Sequence, residues 1–226
     1  MNGILYGVGV GPGNPKMLTL EAVEVLRTVD IIAVPDTSGE KTAMKIVEDY
    51  IKDKDILYCP MPMSRDMKLV EESHLISCNM LETRLLTGKN IAFITLGDPT
   101  IYSTYMSIQR VISAKGYTTK TIAGITSFCA SAAALNISLC DRGEPLHIIP
   151  ASYDDTVELL KLKGTKVLMK SGKSLGGLKE TLKSMNLYEN CQMVERCGME
   201  DERVYRSLHE VSDEASYFSI IIVKDR

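Results

Sequence analysis

Residues 3–35, GILYGVGVGPGNPKMLTLEAVEVLRTVDIIAVP, decide the fold. The stretch opens with a short apolar run, Gly3 to Val10, of the kind a buried strand shows. Glycines follow at alternate positions, Gly7, Gly9, Gly11 and Gly13, with Pro12 and Pro15 between and after them. Leu18, Ala22, Val25, Leu26 and Val29 then recur at the spacing of one helix face. A second apolar run, Ile31 to Val34, is stopped by Pro35. Strand, glycine turn, helix and strand in this order begin a β-α-β-α rhythm, which implies a mostly parallel sheet.

The same rhythm continues downstream. KTAMKIVEDYI (41–51) is amphipathic, and DILYCP (55–60) reads as the next strand. Met67 to Leu86 reads as a long helix closed by Gly88, and NIAFITLGDP (90–99) is the most strand-like segment of the chain. TIYSTYMSIQRVISAKG (100–116) is expected to be a helix with Gly116 as its stop. After Gly116 the pattern changes to TTKTIA (118–123), LHIIPA (146–151), TKVLMK (165–170), CQMVERC (191–197), RVYRSL (203–208) and SYFSIIIV (216–223). Late strands with short connections predict a mixed sheet with antiparallel pairs. The expectation is an α/β protein of two lobes, residues 1–117 with a mostly parallel sheet and residues 118–226 with a mixed one.

Composition narrows the function. The 226 residues are 45% hydrophobic and 24% charged, with a net charge of −3, so nothing in the overall balance points to nucleic acid. No apolar run reaches the roughly 20 residues of a membrane helix, and the start MNGILYGVGV lacks the charged opening of a signal peptide. Six cysteines, none in a C-x-x-C pair, read as reduced small hydrophobes in a cytoplasmic protein. Three scattered histidines give no zinc spacing, so no protein-bound metal is expected.

The glycine turn does not fit the familiar phosphate loops. Counting from Gly7 the sixth residue is Pro12, and from Gly9 it is Asn14, so the dinucleotide fingerprint fails. SGKS at 171–174 would be a P-loop only with glycine at position 167, which is Val167. Pro12 and Pro15 also remove two N–H donors. A loop of this kind suits a ligand that wants shape and carbonyl oxygens, such as a cationic sulfonium, or it is simply a tight strand-to-helix connection.

Three segments together resemble the tetrapyrrole methylase family: VGVGPGNPKMLTLEA (8–22), LGDPTIYST (96–104) and AGITSFCASAAALNISL (123–139), where Ala123 stands in place of the usual proline. They occur in order and at the expected spacing, and the resemblance runs over the whole chain. PMPMSRD (60–66), GDPTIYSTYMSI (97–108) and LHIIPA resemble the branch that methylates C-20 of precorrin-2 or cobalt-factor II. The resemblance implies two α/β lobes with S-adenosyl-L-methionine in the cleft between them, S-adenosyl-L-homocysteine as product, a tetrapyrrole substrate and a homodimer. Another ring position, another acceptor such as protein diphthamide or ribosomal RNA, or a non-catalytic cofactor-binding module are the competing readings.

Carried over by position, the resemblance puts Gly11 and Pro12 on one wall of the site, near substrate. It puts Gly97, Asp98, Ile101 and Tyr102 at the amino-acid end of the cofactor, joined by Thr126 and Ser127. Met169 and Lys170, then Cys197, Gly198 and Met199, would flank adenine and ribose, with Ser219 as a further contact. Asp98, Tyr102, a substrate carboxylate or water would accept the proton that leaves C-20. Arg65, Arg142 and Lys170 are the cations expected to meet substrate carboxylates. Each has a plain structural alternative. Asp98, Thr126 and Ser127 also suit helix starts, Tyr102 and Tyr105 suit a core, Met169 and Met199 suit core filling, and an Arg suits a solvated surface.

Overall fold

A computed structural model describes residues 1–37, 41–62, 64, 66–151, 155–171, 175–213 and 216–225. Residue contacts divide the chain into two units, Met1–Thr126 and Ser127–Arg226.

The first unit contains β1 (Leu5–Gly9), α1 (Leu20–Thr28), β2 (Ile31–Asp36), α2 (Thr42–Val47), β3 (Asp55–Pro60), α3 (Met67–Leu86), β4 (Ile91–Thr95), α4 (Tyr105–Ala114) and β5 (Thr119–Ile122). Its sheet has the order β3-β2-β4-β1-β5, and every pairing in it is parallel. A parallel sheet is covered on both faces, and the strands show it. Ile91 and Phe93 of β4 join Cys78, Leu81 and Leu85 of α3 and Ile108 and Ile112 of α4 in one core. Ala92 and Ile94, the residues between, join Ala22 and Leu26 of α1 and Ile46 and Val47 of α2 in another. Thr119–Ile122, grouped by its position in the sequence with the second lobe, pairs with β1 in this first sheet.

Local chemistry sets the helix limits. Thr19 accepts from the Ala22 N–H at 3.1 Å and caps α1, and Asp66 caps α3 through the Lys68 and Leu69 N–H groups. Gly88 (φ +83°) and Gly116 (φ +87°) take the left-handed stop positions after α3 and α4. The expected helix over 100–116 is shortened at its start. Residues 100–104 stay outside α4 because Tyr102 sits at φ +50°, which a helix cannot hold.

The second unit contains α5 (Ser127–Leu135), β6 (Leu146–Pro150), α6 (Thr156–Leu160), β7 (Thr165–Met169), α7 (Leu175–Ser184), β8 (Cys191–Glu195), β9 (Arg203–Tyr205) and β10 (Ser219–Val223). The sheet order is β6-β7-β10-β8-β9. β6 and β7 are parallel, and β10 runs antiparallel to both β7 and β8, so the sheet is mixed. One face packs Leu168, Met193 and Ile221 on Leu175, Leu178 and Leu182 of α7, and α5 packs on β8 and β10. Among the described residues no helix is long and apolar enough to cross a membrane.

Four cysteines, Cys59, Cys78, Cys191 and Cys197, are buried. Burial pushes the thiols of Cys59 and Cys191 up to about 12 and that of Cys197 up to about 11, so they remain protonated packing groups. Cys129 is different from expectation: it lies on the exposed side of α5.

The start of the second sheet is fastened by charge. The Lys166 side chain is only 2% exposed and pairs with Asp225, whose other oxygen accepts from the Gly164 N–H. Burial would raise the Asp225 carboxyl, but the bonds from Lys166 and Gly164 outweigh that and hold it low. Asp225→Ala should therefore lower stability by about 2–3 kcal/mol, because it strands a buried ammonium. Adding Lys166→Met should recover much of the loss, which denaturant unfolding of the single and double variants will measure.

Candidate active site

In the first sheet β1 and β4 are neighbours whose outgoing connections diverge. The chain after β1 leads to β2, beyond β4, whereas the chain after β4 leads to β5, beyond β1. The crevice outside such a pair of strand C-termini is where ligands bind in open α/β sheets. Gly-Pro-Gly (11–13) and Gly-Asp-Pro (97–99) are the loops at this place.

The two loops are tied by a pair of main-chain hydrogen bonds. Gly11 N–H donates to the Gly97 carbonyl at 3.2 Å, and Gly97 N–H donates to the Gly11 carbonyl at 2.8 Å. Both glycines are left-handed, at φ +73°. A Cβ on Gly97 would meet nothing within 4 Å, so conformation, not crowding, requires glycine there. The reverse holds beside it. A Cβ on Gly124 would lie 2.1 Å from the Gly97 carbonyl oxygen, and one on Gly9 would lie 2.6 Å from the Gly124 nitrogen. Gly9 and Gly124 thus serve backbone-to-backbone packing of three loops. Gly7 serves the core, because the Tyr105 ring lies where its Cβ would be.

Asp98 sits within this junction and is 8% exposed. Its Oδ1 accepts from the Thr100 N–H at 2.8 Å and the Thr100 hydroxyl at 2.5 Å. Its Oδ2 accepts from the Gly124 N–H at 2.9 Å. Burial raises the carboxyl, but these three donors outweigh it and hold the group below its ordinary 3.8. Asp98 therefore does not cap α4, which starts at Tyr105. The Ile101 N–H bonds back to the Asp98 carbonyl at 3.3 Å and closes the turn.

The two tyrosines of this segment separate. Tyr105 is fully buried, packs against Phe93 at 5.9 Å between ring centroids, and donates its hydroxyl to the Lys120 carbonyl at 2.8 Å. Tyr102 is 46% exposed and strained. Pro12 is buried beside Gly11. Thr19 reaches the loop after β5 from the α1 cap, its hydroxyl 3.4 Å from the Ala123 carbonyl. Thr126 Oγ1 is buried with no hydrogen-bond partner among the described residues, so it caps nothing and is an acceptor and donor in waiting.

In the second unit the predicted residues gather at one sheet edge. Met169 opposes Ile220 across the β7–β10 ladder, and Glu195 opposes Ser219 across the β10–β8 ladder. Lys170 (φ +60°) and Arg196 (φ +53°), which directly follow β7 and β8, are both left-handed, as is Gly198 (φ +79°). Three such residues at one edge mark a backbone shaped for something other than continuing the sheet. Met199 N–H closes the turn on the Arg196 carbonyl at 2.9 Å. Burial lowers the Lys170 ammonium. Ser219 is buried and already donates to the Ser216 carbonyl at 2.7 Å. Ser127 opens α5.

Arg142 does not join them. It is exposed, left-handed at φ +51°, in the turn before β6, where the Pro145 carbonyl accepts from the Thr165 N–H at the start of β7. That is the opposite end of the sheet from Met169, so the structure separates Arg142 from the other candidates. Arg65 lies outside the described residues. Among the described residues no group of three His, Cys, Asp or Glu side chains could hold a metal ion. Gly9 was read from sequence as one of the turn glycines, whereas Gly124 and Thr100 were not singled out. An Asp followed two residues later by Thr is the signature of a side-chain turn, so Thr100 had a local signal; Gly124 did not.

A sequence model of the family described as Tetrapyrrole (Corrin/Porphyrin) Methylases matches residues 4–211. The chain belongs to the tetrapyrrole methylase family. It is 37% identical over 225 residues to the probable cobalt-precorrin-2 C(20)-methyltransferase of Methanocaldococcus jannaschii, covering 97% of this chain and 95% of that one. It is 31% identical over 230 residues to the cobalt-precorrin-2 C(20)-methyltransferase of Salmonella typhimurium, covering 99% and 97%. In fold it is similar to the cobalt precorrin-4 methyltransferase structure, with a TM-score of 0.77 at 19% identity over 98% of this chain and 94% of that one. It is likewise similar to uroporphyrin-III C-methyl transferase from Thermus thermophilus complexed with S-adenosyl homocysteine, with a TM-score of 0.75 at 19% identity over 99% and 98%.

Two outcomes follow for this methylase. Gly124→Ala and Gly9→Ala should each lower stability by about 1–3 kcal/mol, whereas Gly177→Ala, which has open space in α7, should raise it by about 0.5 kcal/mol; thermal unfolding will compare them. Because the Asp98 carboxyl is held low, its contribution is complete above the ordinary 3.8 and is lost as pH falls below that value. The stability difference between the parent and Asp98→Asn should stay constant from pH 8 to about 5 and shrink below about 4.

Proposed function

We infer that this chain transfers a methyl group from S-adenosylmethionine to C-20 of a precorrin-2 macrocycle, with cobalt-precorrin-2 as the preferred form. One observation carries this reading: near full-length identity of 37% and 31% to relatives named for C-20 methylation of cobalt-precorrin-2, above the 26% to a precorrin-2 C(20)-methyltransferase from Sinorhizobium sp. The cobalt belongs to the substrate.

The residues present fit the cofactor. The Gly-Pro-Gly turn is poor in donors, and Thr126 Oγ1 is an orphaned polar atom beside the Gly124 loop. Gly97 to Tyr102, with Thr126 and Ser127, would hold the amino-acid end. Met169, Lys170 and Cys197 to Met199 would hold adenine and ribose through main-chain groups, with Ser219 in support of that edge. When bound, S-adenosylmethionine supplies the methyl group as an electrophile, so the chain needs no nucleophile of its own. Its residues position the two reactants and exclude water, a contribution on the order of 7–11 kcal/mol in well-oriented systems.

Pro12 and the exposed Tyr102 ring are the groups we place against the macrocycle. Lys170 is the described cation we assign to a substrate carboxylate, since Arg142 lies at the wrong end of its sheet. Asp98, which already accepts three hydrogen bonds, is a poor proton acceptor. Tyr102, a substrate carboxylate or water is the better one. A homodimer is the assembly proposed from the family resemblance, and sedimentation of the purified protein will measure it.

The decisive assay offers S-adenosylmethionine with cobalt-precorrin-2 and with precorrin-2 separately, under anaerobic conditions. A single methyl at C-20 by mass and NMR, formed faster on the cobalt form, is expected. A methyl at another carbon would move the reading to another ring position, and cofactor binding without product on either macrocycle would overturn it.

A further inference from the structure

Asp98 is a carboxylate in a loop that is read as holding the cofactor's ammonium, yet both of its oxygens are turned into the protein. Oδ1 takes the main-chain and side-chain donors of Thr100, within its own loop. Oδ2 takes the N–H of Gly124, in the loop after β5. A carboxylate has about four acceptor positions, and three of them are filled here.

The Gly124 bond reaches across the switch point. Gly124 is packed so closely against Gly97 and Gly9 that it cannot carry a side chain of its own. Gly97 is in turn held to Gly11 by the paired main-chain bonds. One side chain therefore connects the loops after β4 and β5, and the main-chain bonds between Gly11 and Gly97 carry the connection on to the loop after β1. A buried N–H that loses its acceptor is costly, so the connection is hard to replace.

We propose that Asp98 is a positioning residue: its carboxylate latches the loop after β4 to the loop after β5, and the cofactor meets the main chain that Asp98 holds, not the carboxylate itself. The proposal rests on the reading that this site binds S-adenosylmethionine. Asn would be a poor substitute. If its single oxygen keeps the Thr100 donors, its NH₂ faces the Gly124 N–H, and two donors oppose each other.

The test separates a latch from an ion pair with one ligand difference. Binding of S-adenosylhomocysteine and of its deamino analogue, which keeps the carboxylate and loses only the ammonium, is measured by calorimetry for the parent, Asp98→Asn and Thr100→Val. A latch predicts that Asp98→Asn weakens both ligands by the same factor, about tenfold, and that Thr100→Val weakens both by about threefold. In turnover the KM for S-adenosylmethionine should rise by similar factors while kcat changes little, a split that general loss of folded protein would not give. A loss confined to the ligand that carries the ammonium would show an ion pair and overturn the latch. Unchanged binding of both ligands would also overturn it. If Asp98→Asn does not fold, Thr100→Val, which leaves the carboxylate in place, decides on the same criteria. No binding of either ligand by the parent protein would remove the cofactor reading itself, and the latch with it.

Discussion

Close packing of three stretches of main chain at the C-terminal edge of the first sheet is the constraint on which the rest depends. Gly9 and Gly124 meet there, against the Gly97 carbonyl, at distances that exclude a side chain on either, and Gly97 holds a left-handed turn. The contact exists because β1 lies between β4 and β5, so the loops leaving three parallel strands emerge side by side. Packing backbone on backbone leaves polar groups to be satisfied, and the structure satisfies them in a specific way. Gly11 and Gly97 bond to each other, and Asp98 takes the N–H of Gly124. The glycines, the bridge and the carboxylate form one device, and loss of any member exposes a buried polar group or forces a clash.

The chemistry assigned to the family asks little of such a site beyond order. A methyl donor that carries its own electrophile and an acceptor carbon that is already electron-rich need alignment more than acid–base groups. The first unit fits that demand. Its sheet is buried on both faces, and Tyr105 fills the space that Gly7 leaves beneath the strand ends. Strain is kept for the loops. Tyr102, Lys170 and Arg196 each hold a left-handed backbone without being glycine, Tyr102 in the loop before α4 and the other two directly after β7 and β8.

The cysteines and charges are structural by the same reasoning. Four thiols are buried, and three of them are pushed well above the ordinary range, so they pack as small apolar groups. The buried ammonium of Lys166, near the start of β7, is answered by Asp225.

By itself the sequence determined the alternation of strands and helices in the first unit, the parallel character of the first sheet and the mixed character of the second, and the three segments that name the family. These are legible because period-2 and period-3.6 patterns, caps and glycine stops are local. It also placed Met169, Lys170, Cys197 to Met199 and Ser219 in one reading, and the β7-β10-β8 ladder puts them at one edge. Other matters were open until the chain folded. Tyr102 and Tyr105 are three residues apart and alike in sequence, yet one is strained and exposed and the other is core. Arg142 and Lys170 are both cations beside strands, but they lie at opposite ends of one sheet. Asp98 has the same neighbours in sequence whether it faces a ligand or Gly124. Only the strand order decides these, because it sets which distant loops touch, and no periodicity within a segment carries that information.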